Sequence, residues 1–84
     1  MKIKYLDCVE VIVEKEKYAK EGVHKGMQGV IWLEESIGGG WDVYFPQYGD
    51  KEDIAEISIK EEDLKLIDGM DARINEKIKE QYGD

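Results

Sequence analysis

Two side chains in this sequence are the candidates for nucleophilic or metal chemistry, the thiol of Cys8 and the imidazole of His24. A structural zinc ion takes four nitrogen or sulfur ligands, so these two residues do not complete a site within one chain. A thiol also needs a neighbouring base to act as a nucleophile, and nothing in the sequence places His24 beside Cys8. We therefore expect a small buried or half-buried thiol at Cys8 and a solvent-facing loop residue at His24.

Two further segments resemble ligand-binding loops in composition, but their residues are not arranged as such loops require. The three glycines at 38–40 precede a strand-like run, whereas a phosphate loop precedes a helix. The acidic run 50–53 lacks the alternating ligands and the sixth-position glycine of a calcium loop. We predict no cofactor and no metal ion. An enzyme is not expected, because a barrel of this size fills its interior with side chains.

The composition excludes several classes of protein. The chain has 84 residues, which is one small domain, and its 20 acidic and 12 basic residues give a net charge of −8. An acidic chain is repelled by nucleic acid and by anionic lipid, and no run approaches the ~20 apolar residues that span a bilayer. With one cysteine and no apolar signal-peptide core at the start, we expect a cytoplasmic protein.

Apolar runs with a period of two predict five short strands. Their predicted bounds are 6–13, 27–35, 41–45, 54–59 and 64–67. A long irregular loop is expected at 14–25, a glycine-rich turn at 36–40 and a single helical turn at 60–63. Pro46 ends the third strand because proline has no N–H to donate. This order of elements predicts a mainly β protein, with a small, closed, five-stranded SH3-like barrel over residues 1–67.

The last segment changes to a helical period. Four apolar residues recur at every fourth position: Met70, Ile74, Ile78 and Tyr82. This spacing predicts an amphipathic α-helix within residues 68–84 that packs on the barrel or extends from it. Asp68 is the expected N-cap of the helix, and Gly83 is the expected C-terminal stop.

Several segments carry a resemblance to a known family. They are Asp7-Cys8-Val9, the run 25–31, Trp41-Asp42-Val43-Tyr44-Phe45 and the run 57–66. Residues 6–67 resemble a family of small bacterial proteins of unknown function with a predicted SH3-like barrel. The resemblance implies the fold and no activity. Residues 26–31 are also similar to the strand opening of ribosomal and transcription-factor barrels that touch RNA, but those barrels are basic, so we expect no nucleic-acid partner.

The negative charge is concentrated in the middle third of the chain. Residues 34–63 hold ten acidic residues and two lysines, whereas the segments on either side lie within one charge of neutral. Such a segment either keeps a small protein soluble or forms one negative face that attracts a basic partner. On strand parity, Trp41 and Phe45 point into the core, and Trp32 and Tyr44 point outward.

Trp32 and Tyr44 would form an outward apolar patch, and such a patch is usually buried against another surface. We favour the apolar stripe of the C-terminal helix, since a helix of this length depends on packing for its stability. The alternative cover is a protein partner, for which tryptophan and tyrosine are favoured anchors.

These observations predict a noncatalytic, acidic, protein-binding protein. The expected partner is a basic protein, such as a toxin domain, whose surface a bacterial immunity or antitoxin-type inhibitor covers. The expected contact residues are Trp32, Glu34, Glu35, Asp42, Tyr44, Asp50, Asp53 and Glu56. The alternative is a structural or accessory module that self-associates through its C-terminal helix, as a homodimer.

Overall fold

Five antiparallel strands form one sheet in a computed structural model, which describes residues 3–47 and 53–83. The strands are β1 (Cys8–Val11), β2 (Gln28–Ile31), β3 (Gly40–Phe45), β4 (Ala55–Lys60) and β5 (Leu64–Ile67). Helix α1 (Glu16–Ala19) lies between β1 and β2, the 3-10 turn Glu61–Asp63 joins β4 to β5, and helix α2 (Ala72–Gln81) follows β5. The predicted mainly β class, the five strands and the C-terminal helix are confirmed.

The strand order in the sheet is β4-β3-β2-β1-β5. Within the described residues, β4 and β5 are edges that do not pair with each other, so the sheet is not closed into the barrel that the sequence suggested. The turn between these two edges is three residues long, and β5 starts directly after it. The sheet therefore has to curl until its edges meet at this turn, without the hydrogen bonds that would close it.

The core lies on one face of the sheet and follows the alternation of the strands. Its fully buried side chains include Val9, Val11, Met27, Ile31, Val43, Phe45 and Ile59. Trp41 is also buried, so the predicted inward parity of Trp41 and Phe45 is confirmed. Even-numbered residues of β2 and β3 consequently point to the outer face.

β1 and β2 are shorter than the sequence predicted. β1 begins at Cys8 because Leu6 has a φ of 70°, a left-handed conformation that an extended strand does not accommodate. β2 ends at Ile31, and residues 32–39 form the loop to β3. The N–H of Trp32 still donates to the carbonyl of Asp42 at 2.8 Å, which keeps Trp32 beside β3.

Helix α2 begins later than predicted. Asp71, and not Asp68, is the N-cap, because its carboxylate accepts a hydrogen bond from the N–H of Arg73 at 3.0 Å. The guanidinium of Arg73 donates to both oxygens of the same carboxylate, which holds the cap in place. The stop predicted at Gly83 agrees with its φ of 74°, the conformation in which helices commonly end.

One buried amide fixes α2 to the beginning of β2. The side chain of Asn75 accepts from the N–H of Gln28 at 2.6 Å and donates to the carbonyls of Gln28 at 2.7 Å and Pro46 at 3.1 Å. Continuing the register of Val30 with Tyr44 would place Gln28 opposite Pro46, which has no N–H. The Asn75 amide thus supplies the donor that proline lacks, and it fixes the helix at this end of the sheet.

The first loop, predicted to be irregular, contains α1 and a buried tyrosine that contacts a buried carboxylate. The carboxylate of Asp63 accepts from the Tyr18 hydroxyl at 2.7 Å and from the Lys15 ammonium at 2.8 Å. The Tyr18 hydroxyl accepts from the N–H of Lys60 at 3.2 Å, and the N–H of Ile12 donates to the carbonyl of Asp63 at 2.9 Å. Burial alone would raise the pKa of Asp63, but the hydrogen bonds from Lys15 and Tyr18 outweigh burial and hold that pKa below the ordinary 3.8.

Replacing Gly29 by alanine tests the close approach of β2 to β3. A Cβ at Gly29 would lie 2.7 Å from the carbonyl oxygen of Tyr44 and 2.7 Å from a methyl group of Val43. We expect Gly29→Ala to lower the free energy of unfolding in urea by about 2 kcal/mol, within the range for an overpacked core. Gly69→Ala is the control, because its Cβ meets nothing within 4 Å. Equal stability of the two variants would contradict this packing.

Replacing Asp63 by asparagine tests the buried ion pair. A pKa below 3.8 means that the Asp63 carboxylate stabilises the fold above that pH and loses its effect as the pH falls through the folded-state pKa. We expect Asp63→Asn to be less stable than the wild type at about pH 7, and the difference to shrink below about pH 3.8. Denaturant unfolding at a series of pH values measures it, with the exposed Asp68→Asn as control. A difference that does not depend on pH would contradict the role of the charge.

Candidate functional site

Three aromatic side chains form a partly exposed row. The ring centroids of Tyr5 and Trp32 lie 5.8 Å apart, and those of Trp32 and Tyr44 lie 5.9 Å apart, with interplanar angles of 56° and 42°. These distances lie within the range of favourable aromatic pairs. Trp32 is 47% exposed and Tyr5 is 42% exposed. The row presents a large aromatic surface to solvent.

A turn before β1 places Tyr5 beside Trp32. The carboxylate of Asp7 accepts from the backbone N–H of Lys4 at 2.9 Å, and the Lys4 ammonium lies 3.3 Å from the same group. The N–H of Leu6 donates to the carbonyl of Ile31 at 2.9 Å. The sequence analysis missed Tyr5, because a residue before a left-handed Leu6 has no strand parity from which its direction could be predicted.

Carboxylates flank the aromatic row on β3 and β4. Tyr44 is paired with Glu56 in the register of these strands, and Asp42 lies diagonally from Glu56. A hydrogen bond from the protonated Glu56 carboxyl group to Asp42, and then the charge of Asp42, raise the pKa of Glu56 above the ordinary 4.5. Asp53 adds to this effect and accepts a hydrogen bond from the Tyr44 hydroxyl. The acidic–aromatic face comprises Tyr5, Trp32, Asp42, Tyr44, Asp53 and Glu56.

The carboxylates of the acidic–aromatic face are not neutralised by cations of the described chain. Among residues 3–47 and 53–83, no lysine or arginine forms an ion pair with Asp42, Asp53 or Glu56. The hydrogen bond to Asp53, together with partial burial and the charges of Asp53 and Glu56, raises the pKa of Tyr44. The Tyr44 hydroxyl therefore remains a donor, and the local field remains negative.

The structure brings together most of the predicted contact residues. Trp32, Asp42, Tyr44, Asp53 and Glu56 are neighbours in the acidic–aromatic face. Glu34 and Glu35 are exposed in the loop after β2, and the described part of the chain records no hydrogen bond or ion pair for either. Asp50 lies outside the described residues.

Helix α2 does not cover the acidic–aromatic face, which corrects the favoured expectation for its apolar stripe. Asn75 contacts the Gln28 end of β2, whereas Trp32 follows the other end of that strand. The terminal methyl of Ile78 lies 3.1 Å from the Cβ position of Gly26, which is also near the start of β2. The helix is held there because Asn75 completes the hydrogen bonds that Pro46 leaves open.

His24 is buried, which corrects its predicted position in solvent. It is 5% exposed, and its Nδ1 lies 2.8 Å from a carboxylate oxygen of Glu14. Its ring stacks on Tyr82 with a centroid distance of 3.7 Å and an angle of 6°. Burial alone would raise the pKa of Glu14, but hydrogen bonds from the Lys25 N–H and from His24 outweigh burial and lower that pKa. Stacking on a distant helix residue gives no local signal in the sequence.

Cys8 lies in the middle of the sheet and not in a cluster of reactive groups. It is paired with Val30 on one side and Ile67 on the other, and it is partly buried as predicted. The described residues show no group of three or more His, Cys, Asp or Glu side chains suited to a metal ion. Neither helix in this part of the chain is long and apolar enough to cross a membrane.

The acidic middle third does not form one continuous face. Asp42, Asp53 and Glu56 belong to the acidic–aromatic face, but Asp63 is buried against Lys15. Glu61 accepts a hydrogen bond from the indole N–H of Trp41 at 3.0 Å. Part of the negative charge of this segment is therefore bound within the fold and is not presented to solvent.

Comparisons with protein-family models, with curated proteins and with solved structures find no match to this chain. No residue role can therefore be assigned from a relative.

Removing one carboxylate tests the contact between Asp42 and Glu56. Because Asp42 raises the pKa of Glu56, the two charges repel each other at neutral pH. We expect Asp42→Asn to lower the Glu56 pKa towards 4.5, as measured by carbon NMR of the Glu56 carboxyl group during an acid titration. The same change should stabilise the fold slightly at neutral pH. Glu34→Gln is the control and should leave the Glu56 titration in place, whereas an unchanged midpoint in Asp42→Asn would contradict the contact.

Proposed function

We propose that this chain is a noncatalytic protein-binding protein whose acidic–aromatic face docks a basic surface of a protein partner. The observation that carries the proposal is the exposed Trp32, held between two tyrosines and flanked by carboxylates that no cation of the described chain neutralises. Aromatic anchors supply much of the affinity of protein interfaces, and charged groups set the rate and orientation of docking.

The contact between Asp42 and Glu56 supports a basic partner. In the free protein these carboxyl groups lie close enough for Asp42 to raise the pKa of Glu56. A guanidinium or ammonium group seated beside them would relieve the repulsion, so the binding energy would include a term that an uncharged partner does not supply. Arginine fits both the aromatic side chains and the carboxylates of the face, because it stacks on tryptophan and donates two hydrogen bonds to a carboxylate.

Within this class we propose an immunity or antitoxin-type inhibitor of a bacterial toxin. A toxin that acts on nucleic acid needs a basic surface to bind its substrate, and an acidic protein seated on that surface excludes the substrate. The net charge of −8 and the small size of the chain support this role. The resemblance of residues 6–67 to small bacterial proteins of unknown function is compatible with it and remains a prediction.

Self-association through α2 is the alternative function. Two residues of the helix stripe contact their own chain, Ile78 near Gly26 and Tyr82 on His24. Ile74 remains partly exposed and would have to carry the homodimer contact. The packing of Ile78 and Tyr82 therefore favours the monomeric binding protein over the self-associating module.

Two variants test the acidic–aromatic face against a partner captured from the native host. Trp32→Ala should speed dissociation of the complex by about tenfold or more, because it removes an anchor of the hot-spot type. The double reversal Asp42→Lys with Glu56→Lys should slow association by about tenfold at low salt, and by less at high salt. Glu16→Lys with Glu80→Lys is the matched control, since it makes the same change in net charge at exposed sites on the two helices.

Surface plasmon resonance of the captured complex separates the two rates. Unchanged association at low salt in the double reversal, or equal slowing in the matched control, would contradict the proposed face. Sedimentation addresses the alternative: a homodimer that dissociates in Ile74→Glu would favour the self-associating module, and a monomer at the same concentration supports the binding protein.

A further inference from the structure

A surface cavity of about 310 Å³ lies beside helix α1 and next to the acidic–aromatic face, because its lining residue Ser58 is paired with Asp42 in the register of β3 and β4. Its lining includes Lys17 and Tyr18 from α1, Ile37 from the loop before β3, and Ile57, Ser58 and Lys60 from β4. The cavity and the acidic–aromatic face have no lining residue in common.

The floor of the cavity is held in place by the network around Asp63. Tyr18 is 2% exposed, and its hydroxyl donates to the Asp63 carboxylate and accepts from the backbone N–H of Lys60. These bonds connect α1 to β4 and to the turn that follows it. The cavity is therefore formed before any ligand arrives, which reduces the entropy lost on binding.

Two lysines that line the cavity have no ion-pair partner among the described residues. In the described ranges 3–47 and 53–83, neither Lys17 nor Lys60 forms a salt bridge, whereas the nearby Lys15 is paired with Asp63. The Lys17 ammonium lies 5.2 Å from the centre of the Tyr18 ring, which holds it over the floor. Glu21 also lines the cavity, so the ionised side chains of the lining carry one net positive charge in a chain whose total is −8.

The remaining lining offers an apolar wall and a hydroxyl. Ile37 is 70% exposed at the rim, and Ile57 is partly buried. A Cβ at Gly40 would lie 2.8 Å from the Ser58 hydroxyl, so the glycine leaves this hydroxyl the space that it occupies. Ammonium groups, a hydroxyl and aliphatic side chains thus surround one small volume.

We propose that this cavity binds a carboxylate joined to a small apolar group. The carboxylate would accept from the ammonium groups of Lys17 and Lys60 and from the Ser58 hydroxyl, while the apolar group packs on Ile37 and Ile57. The volume lies at the lower end of the ~300–1,000 Å³ typical of ligand sites, so the occupant is a small organic acid or the C-terminal residue of a peptide. No residue of the acidic–aromatic face lines the cavity, although Asp42 lies directly across from Ser58.

Titration of ¹⁵N-labelled protein with 4-methylpentanoate tests the site, with neutral 4-methylpentanamide as the matched ligand. We expect the acid to shift the backbone amide signals of Gly38, Gly40, Ser58 and Lys60, and the amide to shift them much less. A short peptide that ends in leucine with a free carboxylate forms the second arm. Tighter binding of the peptide would assign the site to peptide C-termini, whereas tighter binding of the free acid would assign it to small organic acids. Either outcome supports a carboxylate-binding site.

Charge-removing variants locate the carboxylate. Lys17→Gln and Lys60→Gln should each weaken the binding of 4-methylpentanoate at least about threefold, as expected for an exposed ion pair. Lys77→Gln, an exposed charge on α2, should leave the affinity unchanged. Ile37→Ser changes a highly exposed side chain and should weaken the acid and the amide alike.

Three results would overturn the site. The first is equal shifts with the acid and the amide, the second is the absence of shifts around the cavity at millimolar ligand, and the third is equal weakening in Lys77→Gln. Because none of these variants lies in the acidic–aromatic face, a failure here leaves the docking function standing.

Discussion

The buried carboxylate of Asp63 is the constraint on which the other parts of this fold depend. It lies in the turn between the two edge strands, where the sheet has no hydrogen bonds of its own to close it. Burying a charge is unfavourable unless its partners are good, and here Lys15 and Tyr18 both donate to it. The same contacts hold the first loop against β4 and β5. Without them α1 would have little reason to be ordered, because a helix of four residues has almost no stability of its own.

A second constraint, at the Gln28 end of β2, determines which surface of the sheet stays exposed. Pro46 has no N–H for β2, and the side chain of Asn75 supplies the missing donor from α2. The helix is thereby anchored near Gln28 and Gly26, at a distance from Trp32. Pro46 therefore determines, through the Asn75 amide, where α2 packs, and the aromatic row on the outer face stays partly exposed.

The sequence predicts the elements that depend on local pattern, and it misses those that depend on distant partners. The bounds of β5, the helical turn before it, the end of β3 before Pro46 and the inward parity of Trp41 follow from alternation and turn chemistry. The start of α2 was placed at Asp68 because an acidic residue there also suits a cap, and only the pairing of Asp71 with Arg73 decides between the two. Closure of the sheet was expected from the strand count, but β4 and β5 do not pair with each other in the described part of the chain.

The candidate site shows why a count of charges predicts a surface incompletely. The middle third holds carboxylates in three different states: Asp63 buried in an ion pair, Asp53 bonded to a tyrosine hydroxyl, and Asp42 against Glu56. Strand parity was enough to place Asp42, Tyr44 and Glu56 together, because neighbouring antiparallel strands align their outward residues. Lys17 and Lys60 are more than forty residues apart in the sequence, so no local pattern indicated that they would line one cavity. A chain with a large negative total charge thus places Lys17 and Lys60 at one cavity beside a group of carboxylates, because the fold decides which charges lie together.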